Sequence, residues 1–461
     1  MAELWPTPEP VAVRTDAPPV RARRVIREIT TRLGDDARLR RAIERSAAQT
    51  AYPEVNVWRA ESVAYGAAGL AAVFAAADQA DPGRGLDTLA HGRLAAAVQA
   101  LPGATSLGLF DGACGVAFAA ALASKGGRRY TGLLTGLDER IARQAGARAR
   151  LMAASDDPVP VPAYDVVSGA AGWALYLAGR PSTPPVEEAL GDLERLLTRL
   201  AGRDERGTPR LALPARLLSA ELAGLAPDGY VDCGVAHGYP GVLAALLALR
   251  ARRVRTGGAP PAELDDALGG GAAWLSARLI EGGEGGPYWP YRVLLGADGA
   301  ARTRAHLRPH DGWCYGTPGV ARVLWSAGTV LGEPAYVRTA VAALEAACER
   351  TLRNVVPGAP PSPTLCHGRA GLYVITASLA SASPRLASAA DRLLDALLAA
   401  YDDDAPLGYR DVENAGTVTD GPGLLSGAPG VALALLTAAD PDPADGARWS
   451  GTLAFTGATP R

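Results

Sequence analysis

The chain has 461 residues, 48% hydrophobic and 6% aromatic, with a formal net charge of -2. That length can bury a large core, and a near-neutral surface without blocks of like charge excludes a dedicated nucleic-acid-binding protein. Five cysteines, an odd and sparse set, exclude a disulfide framework and fit a reducing compartment, while no stretch supplies the ~20 uninterrupted apolar residues of a membrane span, so a soluble cytoplasmic protein is expected.

Residues 1–20 are proline-rich and carry no apolar signal-peptide stretch, which predicts a flexible arm. Residues 21–33 predict a short basic helix. After it one unit recurs: an amphipathic helix, a loop of variable length, then Gly-x-x-Gly opening a nearly all-apolar helix. The amphipathic segments are 35–48, 86–101, 134–153, 186–200, 261–280, 334–352 and 384–401. The glycine pairs are Gly66/Gly69, Gly112/Gly115, Gly169/Gly172, Gly238/Gly241, Gly316/Gly319, Gly368/Gly371 and Gly427/Gly430. The apolar helices beyond them cover 70–77, 116–123, 173–177, 242–249, 320–331, 372–379 and 431–438.

A helix that is apolar all round must be buried, and an amphipathic partner can shield it from water. Seven such alternations predict an all-α chain, an α/α toroid with seven inner helices inside seven outer ones. The glycine pairs lie 46 to 78 residues apart, an uneven spacing that suits a closed barrel better than an open solenoid. The expected organisation is one domain over 21–438 and a loosely packed tail over 439–461. At the first, second and seventh pairs the glycines are expected only to cap helices. The longest connections, 201–235 and 281–310, lead into the repeats that carry the chemistry.

That chemistry centres on His310-Asp311-Gly312-Trp313-Cys314-Tyr315-Gly316-Thr317-Pro318-Gly319 and on Cys366-His367-Gly368. Each thiol stands on a loop just ahead of an apolar helix, at equivalent positions of neighbouring repeats. If the fold joins these loops, Cys314, Cys366 and His367 form a sulfur, sulfur, nitrogen set that suits zinc and leaves a fourth position open. His237, just before Gly238, occupies the loop slot that carries the thiols elsewhere, and reads as a fourth ligand or a general acid/base. Asp165, ahead of Gly169, either orients an imidazole or caps the inner helix. Tyr315 could donate a hydrogen bond to developing negative charge or line the cavity. His306, His310, Arg304 and Arg308 crowd the approach to Cys314. Cys114 and Cys348 fall within apolar runs and read as core, and Cys233 reads as structural.

The motifs Trp313-Cys314-Tyr315-Gly316, Cys366-His367-Gly368, His237-Gly238-Tyr239-Pro240-Gly241 and Tyr164-Asp165 resemble those of the lanthionine synthetase C-like family, the lanthipeptide cyclases. The resemblance covers nearly the whole chain, because seven glycine pairs are themselves a family feature. It implies a seven-fold toroid with zinc on Cys314, Cys366 and His367. The implied substrate is a precursor peptide whose Ser and Thr residues are already dehydrated to dehydroalanine and dehydrobutyrine. A cysteine thiolate of that peptide would add to the dehydrated residue, His237 would protonate the resulting enolate, and Asp165 and Tyr315 would support it. The product would be a lanthionine or methyllanthionine thioether ring. Family members often carry an arginine four residues before the first zinc cysteine, where this chain has His310, with Arg308 close by. The resemblance further implies a free-standing cyclase with a separate dehydratase partner, an exporter, and membrane association only through such a complex. Rival readings are an animal-type family member that adds glutathione, a prenyltransferase-like zinc barrel, and a non-catalytic zinc scaffold for a leader peptide.

Overall fold

The structure, a computed structural model, describes residues 17–101, 106–281, 285–302, 309–353, 361–413, 416–439 and 448–456. The first half of the chain forms α1 (Pro18–Gly34), α2 (Asp36–Gln49), α3 (Ala67–Ala80), α4 (Leu86–Gln99), α5 (Ala113–Ala123), α6 (Thr131–Ala154), α7 (Val161–Tyr164), α8 (Ala170–Ala178) and α9 (Pro184–Ala201). The second half forms α10 (Ala220–Leu225), α11 (Tyr239–Arg255), α12 (Ala262–Ser276), α13 (Thr317–Leu331), α14 (Pro334–Arg353), α15 (Arg369–Ser378), α16 (Pro384–Ala399), α17 (Ala428–Ala439) and α18 (Arg448–Thr452). Two long connections carry β1 (Tyr230–Asp232), β2 (Arg292–Leu295) and β3 (Ala301–Arg302), an antiparallel sheet in that order. A hairpin of β4 (Asp411–Val412) and β5 (Val418–Thr419) precedes the last repeat. Among the described residues no helix is long and apolar enough to cross a membrane.

The apolar helices α3, α5, α8, α11, α13, α15 and α17 pack each on the next, and α17 returns to α3, so the inner ring closes. Around it stand α1, α4, α6, α9, α12, α14 and α16. The expected α/α toroid of seven inner and seven outer helices is therefore present. One member of the outer ring differs from expectation. The segment 35–48, now α2, was expected to shield the first inner helix, but α1 takes that role against α17 and α3. Ala22, Val25, Ile26, Ile29 and Leu33 of α1 are all buried at helical spacing, whereas α2 buries only Leu39, Ala42 and Ser46. A continuous apolar stripe decides which helix is covered, and only α1 has one.

The seven glycine pairs do more than cap. A Cβ on the second glycine of each pair would fall 2.0–2.5 Å from the carbonyl oxygen of the residue six places earlier: Val63, Leu109, Val166, Val235, Trp313, Leu365 or Leu424. The loop lies directly on the first turn of its own helix, and no side chain fits between them. This corrects the capping expectation for the first, second and seventh pairs.

Folding the loops down aligns their backbones around the mouth. The residue two places before the first glycine is Ala64, Phe110, Val167, Ala236, Cys314, Cys366 or Leu425. The Ala64 N–H donates to the Phe110 carbonyl at 3.0 Å, Phe110 to Val167 at 3.0 Å, and Val166 to Ala236 at 3.1 Å. Ala236 donates to Cys314 at 3.2 Å, Cys314 to Cys366 at 3.2 Å, Cys366 to Leu425 at 2.9 Å, and Leu425 to Ala64 at 3.3 Å. These bonds make a closed belt through all seven repeats.

The far side of the belt is filled, in part, by the C-terminal segment. Trp449, Leu453 and Phe455 are buried. The Phe455 ring stacks on Trp313 at 4.5 Å between centroids, and the Trp313 Nε1 donates to the Ala454 carbonyl at 3.0 Å. A loosely packed tail was expected, but within its described part Trp449, Ser450, Leu453, Ala454 and Phe455 are buried, and Phe455 completes an aromatic cluster with Trp313 and Phe110.

Candidate metal centre

Cys314 and Cys366 hold equivalent places on the belt, so their side chains leave neighbouring repeats at the same level. The ligand atoms of Cys314, Cys366 and His367 all lie within 4.8 Å of one another. Fixed backbone on both sides of each thiol, from the belt and from Gly316 and Gly368, leaves little freedom to disperse them. Gly316 has φ +109°, and a Cβ there would stand 1.8 Å from the His310 carbonyl oxygen, so this turn admits only glycine.

The neighbouring Cys366 thiol holds the Cys314 thiol below its ordinary value against the opposing effect of burial, while the same contact and burial push Cys366 well above its own. A thiolate at neutral pH is the form that ligates metal. The Nε2 of His367 is buried without a hydrogen bond, although Asp411 Oδ1 stands at ion-pair distance, 3.3 Å. Asp411 is in turn held by the Ser362 hydroxyl at 2.7 Å. An imidazole backed by a buried carboxylate beside two thiols is a donor set that could hold a metal ion and whose chemistry fits zinc. Among the described residues no further His, Cys, Asp or Glu joins this group.

His237 lies on the same rim. Aligning the repeats places Ala236 in the thiol slot and His237 in the slot of Tyr315 and His367, one residue later than expected. Its Nδ1–H donates to Asp165 Oδ2 at 2.7 Å. Burial opposes the imidazolium, but the hydrogen bond and charge of Asp165 outweigh it and raise the His237 pKa. Of the two roles considered for Asp165 the structure shows the contact to the imidazole; its Oδ1 accepts from the Ser168 and Gly169 amides at 2.7 and 3.0 Å and so braces the loop ahead of α8, whose N-terminus has no side-chain cap.

The Tyr315 ring stands 6.0 Å from that of His237, between centroids. Its hydroxyl donates to Asp232 Oδ2 at 3.0 Å, and the Gly234 amide donates to Oδ1 at 2.8 Å. Burial raises Asp232 to about 6. Sequence reasoning missed Asp232, yet it stands six places before Gly238, the register that His310 and Ser362 hold before Gly316 and Gly368. Aligning the repeats would have found it. Asp411 lies on β4, outside the repeat frame, and gives no such signal.

His310 braces the loop. Its Nδ1–H donates to the Tyr315 carbonyl at 2.9 Å, its own carbonyl accepts from the Thr317 amide at 3.0 Å, and burial lowers its pKa. Arg304, His306 and Arg308 lie outside the described residues. Cys114, Cys233 and Cys348 are fully buried and away from this group.

A family model described as lanthionine synthetase C-like protein matches residues 57–453. Among solved structures, one titled nisin cyclase is similar with a TM-score of 0.69 and 20% identity, over 90% of this chain and 97% of that chain. No curated protein matches the sequence.

Proposed function

The chain belongs to the lanthionine synthetase C-like family, and from that membership we propose that it is a zinc-dependent lanthipeptide cyclase. It closes thioether rings in a ribosomally made peptide whose Ser and Thr residues have already been dehydrated. The observation that carries this reading is the convergence of Cys314, Cys366 and His367 within 4.8 Å, on the rim that also holds His237.

A zinc ion held by those three residues would lower the pKa of a peptide thiol offered to its open fourth position. The thiol sulfur forms a bond to the β-carbon of dehydroalanine or dehydrobutyrine, the carbon–carbon π bond breaks, and its electron pair passes into an enolate. His237, kept protonated by Asp165, gives a proton to the α-carbon, and the proton lost from the thiol balances it. Asp165 fixes the imidazole so that Nε2 faces the site. Tyr315 has one hydroxyl proton and commits it to Asp232, so it offers the enolate a lone pair and not a donor unless Asp232 is protonated. His310 spends Nδ1 on a backbone carbonyl and is held neutral by burial, so it does not replace a guanidinium. The lack of a fourth protein ligand among the described residues favours an open position over a closed structural site.

The test is zinc content and cyclisation measured together for wild type and Cys314→Ala. A dehydrated peptide bearing free cysteines is supplied, and remaining thiols are counted by alkylation and mass spectrometry. Near-stoichiometric zinc and thiol loss above the spontaneous rate are expected, both abolished in the variant. Thiol loss that appears only with added glutathione would assign the external-thiol reaction instead. A protein that binds no zinc would overturn the site.

A further inference from the structure

Inside the barrel, away from the thiol pair, α8, α11, α13 and the C-terminal segment leave a cavity of about 20 Å³. Its walls are apolar, among them Leu175, Ala244 and Leu247, except where Arg322, Ser326 and Thr456 enter. Arg322 is 4% exposed. Its Nη1 donates to the Ser326 hydroxyl at 2.5 Å, its guanidinium lies 4.8 Å from the Trp325 ring centre, and its Nε has no hydrogen-bond partner.

The other buried arginines set the comparison. Arg252 bonds to Glu187, and Arg350 grips Asp311 with two nitrogens. No acidic side chain among the described residues pairs with Arg322. Burial alone pushes its pKa down to about 10, whereas an adjacent carboxylate would act in the opposite direction. At neutral pH it remains a cation, and a buried cation without a counter-charge is strongly disfavoured. The aromatic ring and one hydroxyl compensate only part of that cost.

We propose that the Arg322 cavity binds a small monovalent anion of chloride size. Its volume is on the scale of one small ion. The ion meets the guanidinium on one side and Thr456, whose hydroxyl also shares a hydrogen bond with the Ser450 hydroxyl at 2.9 Å, on the other, and so ties the C-terminal segment to α13. This site is independent of the cyclisation reading.

The test uses sodium bromide and sodium chloride on the full-length protein. Crystals soaked in bromide are expected to show an anomalous peak within hydrogen-bond reach of Arg322. The melting temperature is expected to rise with the logarithm of halide concentration at constant ionic strength set by gluconate. Arg322→Met should lose that dependence. If this variant does not fold, the wild-type peak and titration decide alone. A peak without halide-dependent stability marks an adventitious ion only and overturns the proposal. So does a carboxylate of the chain, or water alone, found against Arg322.

Discussion

His237 and Asp165 show how one contact sets a working pH. The pair keeps the imidazole protonated above its ordinary 6.5, so its stabilisation is complete below that value and fades as pH climbs through the raised one. Asp165→Asn removes the charge that opposes burial, and the alkaline limb of the rate profile should then move to lower pH. His237→Ala should lower turnover about 10²–10⁴-fold with zinc content unchanged, read by metal analysis beside peptide cyclisation. Parallel loss of zinc would instead make His237 a ligand. The candidates that sequence alone supplied, Cys314, Cys366, His367, His237, Asp165, Tyr315 and His310, stand together on the rim. They were legible because each precedes a glycine whose position the backbone enforces. Asp411 was hidden because a two-residue strand has no periodic signature.

At the scale of elements, the glycine pairs carry a sharp contrast. Gly430→Ala would set a methyl 2.0 Å from the Leu424 carbonyl oxygen and 2.8 Å from the Leu365 Cβ. A loss of about 1–3 kcal/mol is expected from such overpacking, more if the belt breaks at Leu425. Gly92 in α4 meets nothing within 4 Å, and Gly92→Ala should add about 0.5–1 kcal/mol by helix propensity. Thermal or denaturant unfolding of both variants separates a glycine required by contact from one that is merely present. The inner helices were readable from composition, since runs such as 70–77 have no polar face. The partner of the first one was not, because the arginines of α1 mask a stripe that is unbroken from Ala22 to Leu33.

At the scale of the whole molecule, the loop that carries Cys314 meets the C-terminal segment. Phe455 stacks beneath Trp313, the residue beside Cys314. Phe455→Ala should destabilise the fold by about 3–5 kcal/mol. If the thiol loop leans on that stack, the variant should also release zinc to a chelator faster than wild type; equal release rates would show that the belt alone holds the loop. Nothing in the composition of 439–461 announces this role, because Phe455 gains its meaning from Trp313, more than a hundred residues away.

The hydrogen-bonded belt also orders events in time. Its last link runs from Leu425 to Ala64, residues at nearly opposite ends of the chain. During synthesis the first inner helix leaves the ribosome with one flank bare, and that flank stays exposed until the last helix has been made. The nascent chain therefore presents a long-lived sticky surface of alanine and leucine, and its maturation is set by how well that surface is shielded while translation finishes.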